Sequence, residues 1–212
     1  MDTFKDDVLQ YQNRYRQRHN VPPLKLNTTL SEMAGNWVSQ VAEKDDIKPS
    51  ALSDSTDVAE NFCMVCGFNF TAYNVTLEWY RQACSYNFKT YEKVSEHVAT
   101  VENFERMVWK SAKEFGMGMK KSKHLPCTYI IGWYNPIKGT AEENVFQGGF
   151  RGQECLKVGK NPEKGKYLHD KSRGVFLCGG SAEVLRKKAC EHFGCKNGMF
   201  VWQKNRKVQD KF

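Results

Sequence analysis

Residues 127–134 read Cys127-Thr128-Tyr129-Ile130-Ile131-Gly132-Trp133-Tyr134, a β-branched and aromatic run that Asn135-Pro136 stops, and they predict a strand. Just upstream, Phe115, Met117 and Met119 alternate with Gly116 and Gly118, the period of a second strand. Before residue 113 the pattern is helical instead. Phe4, Val8, Tyr11 and Tyr15 recur at helical spacing, with Asp6 and Asp7 early and Arg14, Arg16 and Arg18 late, as the helix dipole favours. Pro22-Pro23 ends that helix. Thr29 and Glu32 form a capping-box pattern for a second helix, with Leu30, Met33, Ala34, Trp37, Val38 and Val41 facing inward. Residues 44–58 read as loop, and two further helices are expected at about 74–85 and 98–112. Helices first and strands later, without regular alternation, give an α+β class.

The chain has 212 residues, 40% apolar, 26% charged and 13% aromatic, which suits a domain with a real core and excludes a disordered or membrane-embedded chain. The N-terminus is polar and acidic, so no signal peptide is visible in it. Charge is unevenly spread. Residues 156–212 hold 14 basic and 5 acidic side chains, whereas 1–155 hold 18 and 19. That step predicts a body at 1–155 and a basic C-terminal extension at 156–212, with one helix at about 181–192.

Four separated stretches carry a resemblance to a known family. Tyr15-Arg16-Gln17-Arg18-His19 with Val21-Pro22-Pro23-Leu24-Lys25-Leu26 resembles the first-helix signature of the CAP superfamily, which holds the cysteine-rich secretory proteins, antigen 5 and plant pathogenesis-related 1 proteins. Ala59-Glu60-Asn61-Phe62, Trp79-Tyr80 and Asn103-Phe104-Glu105-Arg106-Met107-Val108-Trp109 resemble its later elements in order. The likeness covers about residues 4–150 and leans toward the Golgi-associated branch. It implies an α-β-α sandwich with helices flanking an antiparallel sheet.

The resemblance also implies a cleft with two His and two Glu, a donor set that suits a divalent cation. The matching positions here are Pro49, Glu60, Gln82 and Asn103. Proline has no donor, and the two amides are weak, uncharged ligands. The inherited metal site is therefore expected to be lost, with no catalytic residue and no cofactor, and Glu60 left to hold the cleft backbone.

Eight cysteines stand at 63, 66, 84, 127, 155, 178, 190 and 195, an even number that suits either reduced thiols or an oxidised protein. Cys63-Met64-Val65-Cys66 has redox or zinc half-site spacing, but its apolar middle favours packing over a disulfide or redox dithiol. Cys84 and Cys127 read as core thiols. Cys178, Cys190, His192 and Cys195 suit disulfides, with Cys155 a further candidate, or free thiols or a Cys₃His zinc site. Sequons at Asn27, Asn69 and Asn74 leave the compartment open, and localisation is uncertain between the secretory pathway and Golgi-type membranes.

These features predict a non-catalytic module that binds lipid, sterol or a protein partner at an anionic membrane surface. The family likeness supplies the lipid, and the basic extension an independent attraction. Lys187, Lys188, Lys196, Lys204, Arg206 and Lys207 with Phe200 and Trp202 form the expected membrane- or polyanion-binding set. The alternatives are a secreted protein binding heparin-like or nucleic-acid polyanions through the same tail, and a hydrolase using Glu60 with His97. His19 reads as a cation at a helix C-terminus.

Overall fold

In the computed structural model, the residues described are 2–48, 50, 52, 57–67, 69–94, 100–152 and 155, and then 175–179, 185–187, 189–190, 195–196 and 199–200. The first helix, α1 (Asp2–Arg18), leads through β1 (Lys25–Leu26) into α2 (Thr28–Lys44). Asn27 caps α2, its side chain accepting from the Leu30 N–H, so the cap lies before the Thr29 box expected from sequence. Leu30, Ala34, Val38 and Val41 face inward as expected; Met33 does not, and is 42% exposed.

The sheet has five strands in the order β1, β5 (Glu114–Lys121), β6 (Cys127–Asn135), β2 (Ala59–Cys66) and β7 (Val175–Gly179). All pairings are antiparallel except β1 with β5. Alternate residues of β2 serve two cores. Cys63 and Val65 join Val8, Trp79, Phe104, Phe115 and Tyr134 beneath α1, α3 (Ala72–Tyr80) and α4 (Glu102–Val108). Phe62, Met64 and Cys66 join Leu30, Val38, Tyr129 and Ile131 beneath α2. The result is the α-β-α sandwich that the sequence implied.

Close packing of α2 on β5 depends on the two glycines of the Met-Gly-Met-Gly alternation. A Cβ on Gly116 would stand 2.6 Å from Leu30, and one on Gly118 would collide with the Ala34 carbonyl. On the other side Arg16 is fully buried in α1. Its guanidinium donates to the carbonyls of Pro22, Met107, Trp109 and Ala112 at 2.7–3.0 Å, tying α1 to the end of α4. Burial lowers its pKa to about 10, which leaves it charged at neutral pH.

Part of the segment expected beyond the sandwich lies inside it. β7 pairs along β2 from Phe62↔Gly179 to Cys66↔Val175, and Cys63 is disulfide-bonded to Cys178 directly opposite. Leu185 and Ala189, on short helical stretches within the expected tail helix, are fully buried in the α2-side core. Two more disulfides correct the thiol assignments: Cys127 bonds Cys66 across β2 and β6, and Cys84 bonds Cys155. No described cysteine is free, and Cys190 is also disulfide-bonded. With Cys178 and Cys190 so engaged, the Cys₃His zinc reading fails for want of thiolates.

Candidate functional site

The cleft positions gather where β2 begins and α4 starts. α3 runs on into a 3₁₀ turn, Arg81–Ser85, which carries Gln82. The first turn of α4 has no capping side chain from its own N-cap residue, Val101. Gln82 supplies one from across the gap: its Oε1 accepts the backbone N–H of Asn103 at 2.9 Å and of Phe104 at 3.4 Å. Asn61, beside Glu60, donates through Nδ2 to the Asn103 carbonyl at 2.9 Å and to the Tyr134 hydroxyl at 3.1 Å. The Tyr134 hydroxyl in turn donates to Gln12 Oε1 at 2.6 Å. Burial raises the Tyr134 pKa, so it stays a neutral donor. A buried polar chain thus runs from α1 through β6 and β2 to α4.

Glu60 is 5% exposed, and its Oε2 accepts from Ser50 Oγ at 3.1 Å and Trp133 Nε1 at 3.3 Å. Arg106 Nη1 donates to the Glu60 carbonyl at 2.6 Å, while Nη2 stands 3.3 Å from Glu102 Oε2. Sequence reasoning missed this positioning role, although Arg106 stands in a stretch quoted for the family likeness. The Asn103 amide is fully buried, and among the described residues neither of its polar atoms has a partner, nor does Gln82 Nε2. Of the four cleft positions, Glu60, Gln82 and Asn103 are described; Pro49 lies outside the described residues, as does His97 of the hydrolase reading.

The described part of this donor set is poor in charge. It offers one carboxylate, already engaged by Ser50 and Trp133, and two neutral amides, one of which caps a helix. Among the described residues no group of three His, Cys, Asp or Glu side chains could hold a metal. His19, read from sequence as a cation at the end of α1, is fully buried. Its Nδ1 faces the Phe146 carbonyl, which only accepts, so Nδ1 carries a proton, and Nε2 stands 3.0 Å from the Tyr80 hydroxyl.

Of the expected basic set, Lys187 is exposed beside the buried Leu185. Lys196 and Phe200 lie in a two-strand ladder, β8 (Cys195–Lys196) with β9 (Met199–Phe200). Lys188, Trp202, Lys204, Arg206 and Lys207 fall outside the described residues. A second cationic group was not singled out from sequence, although the run Lys120-Lys121-Ser122-Lys123-His124 was there to signal it. It forms the β5–β6 turn, at the opposite end of β2 from Glu60, and Lys120, Lys121, Lys123 and His124 are all exposed. The turn is pinned: Lys123 N donates to the Ala42 carbonyl at 3.0 Å, and Ser122 Oγ accepts from the N–H groups of His124 and Leu125. Glu43 is held below its ordinary pKa by the hydrogen bond from Lys123, with Lys120 and His124 adding to the effect.

Comparison with known proteins accords with this geometry. The Cysteine-rich secretory protein family (CAP) matches residues 9–138, and the chain belongs to that family. It is 30% identical over 144 residues to the Golgi-associated plant pathogenesis-related protein 1 of Homo sapiens, covering 68% of this chain and 90% of that protein. Among solved structures, NaASP2 with Zn2+ superimposes with TM-score 0.53 at 14% identity, over 82% of this chain and 94% of the other. The hookworm platelet inhibitor gives 0.50 at 18% identity, over 76% and 84%. These two likenesses establish the fold alone.

Proposed function

We propose that this CAP-family chain is a non-catalytic binding module whose cleft holds no metal and whose cationic surface docks on an anionic membrane. The observation that carries the first part is the use of Gln82 and Asn103. Both are buried, and Gln82 commits its oxygen to the backbone N–H groups of Asn103 and Phe104, so this contact ties the 3₁₀ turn to the first turn of α4. Family members are generally binding modules without catalysis, and the Glu60 carboxylate accepts from Ser50 and Trp133. Binding is therefore assigned to the surface. Exposed Lys120, Lys121 and Lys187 join the basic extension in supplying attraction, worth about 1 kcal/mol per cation at an anionic leaflet.

The test uses the full chain with vesicles of phosphatidylserine in phosphatidylcholine, against phosphatidylcholine alone. Expected are co-sedimentation with the anionic vesicles only, steep loss with added salt, and less than stoichiometric zinc after dialysis. Equal binding to neutral vesicles would refute the electrostatic docking, and one tightly held zinc per chain would refute the metal-free cleft.

The disulfides favour a second reading. Bonds of this kind persist in oxidising compartments, where sulfated polysaccharides are the abundant polyanions. Salt-dependent retention on heparin with no vesicle binding would select it.

A further inference from the structure

The three sequons differ sharply in what the fold does with them. Asn27 is committed at both ends of its amide: Oδ1 caps α2 through Leu30 N at 2.8 Å, and Nδ2 donates to Glu114 Oε2 at 3.0 Å. Asn74 sits in the first turn of α3, where its Oδ1 accepts from the N–H and hydroxyl of Thr71. The hydroxyl-bearing partner of that sequon, Thr76, is fully buried and bonds to the Ala72 carbonyl at 2.9 Å. A glycan on Asn27 would open a cap, and one on Asn74 would lie along a packed helix.

Asn69 is different. It lies in the loop between β2 and α3, is exposed, and makes no hydrogen bond among the described residues. Thr71, two residues on, caps α3 through its hydroxyl but is exposed, unlike the buried Thr76. Phe70 between them anchors the loop by packing against Phe4 and Phe176, at ring-centroid distances of 5.9 and 6.4 Å. Beside Asn69 an open depression of about 510 Å³, bordered by Lys121, Leu125 and Pro126, leaves room for a first sugar without displacing packed side chains. The disulfides add an independent pointer, because the compartment that forms them is also where sequons are modified.

We infer that Asn69 is an N-glycosylation acceptor, and that Asn27 and Asn74 are left unmodified. In the transfer, Asn69 Nδ2 attacks the anomeric carbon of an oligosaccharide carried on a lipid diphosphate. A carbon–nitrogen bond forms as the carbon–oxygen bond to the diphosphate breaks. The lipid diphosphate leaves with the electron pair, and the amide gives up one proton to the transferase.

The experiment expresses the full chain behind a secretory leader in eukaryotic cells. Intact mass is read on the secreted and cell-retained pools together, before and after peptide N-glycosidase. One glycan is expected, absent from Asn69→Gln and retained in Asn27→Gln and Asn74→Gln. An unglycosylated chain in both pools, or a glycan that survives in Asn69→Gln, overturns the inference. This outcome is independent of whether the protein binds vesicles.

Discussion

Replacing both Cys63 and Cys178 with serine removes the covalent tie between β2 and β7 while leaving no unpaired thiol. The two residues are 115 apart in sequence, but the relevant loop is shorter because other bridges remain. With Cys84–Cys155 intact, the shortest path runs 21 residues from 63 to 84, across that bridge, and 23 more from 155 to 178, about 44 residues in all. Releasing a loop of that length raises the entropy of the unfolded chain enough to cost roughly 4 kcal/mol on the chain-entropy account. Cys63 is fully buried, so a serine hydroxyl placed there adds to the loss. For a domain of this size the melting temperature should fall by about 8–16 °C. Urea and thermal unfolding of the double variant against the native chain measure it, with hydrogen exchange at 175–179 as a local readout. A loss below about 1 kcal/mol, with exchange at β7 unchanged, would refute the view that this bridge secures the fifth strand.

Gly118→Ala should destabilise the fold by about 1–3 kcal/mol, since its Cβ meets the backbone of α2, and denaturant unfolding reads the loss. Arg16→Lys should cost about 3 kcal/mol, because one ammonium cannot serve four carbonyls on three segments; calorimetry decides, and a neutral effect would remove Arg16 as a tie. Burial, followed by the charge of Glu102, raises the Glu105 pKa above its ordinary value, so the folded state holds that proton more tightly than the unfolded. Its contribution is full below the unfolded pKa and is lost as pH rises through the folded one; Glu105→Gln should therefore stabilise the protein at pH 7 and flatten that part of the stability profile.

The sandwich was legible because α2 and β6 carry strong periodic signals and four family stretches occur in order. β2 was harder to read as a strand. Every residue from Glu60 to Cys66 is buried, so it has no polar alternation, and its apolar run is equally compatible with a buried helix segment. β7 was missed for a related reason: charge composition dominated the view of the C-terminal region, and Val175–Gly179 gains its place only through pairing with a strand more than a hundred residues earlier. Cysteine pairing has no local signature, and eight cysteines admit about 105 connectivities. The residue types at Glu60, Gln82 and Asn103 were readable directly. The capping of α4 by Gln82 was not, because it joins segments 21 residues apart through a contact that only the fold creates.

The insertion of β7 beside β2 also sets a timetable for biosynthesis. β2 pairs with β6 on one side and β7 on the other, so one side is served by residue 135 and the other only at 179. At ribosomal speeds of about 5–20 residues per second, those 44 residues take roughly 2–9 seconds, during which a strand that is apolar from Phe62 to Cys66 has an open edge. An open strand edge is a template for other chains, so this interval is when the nascent protein most needs a chaperone.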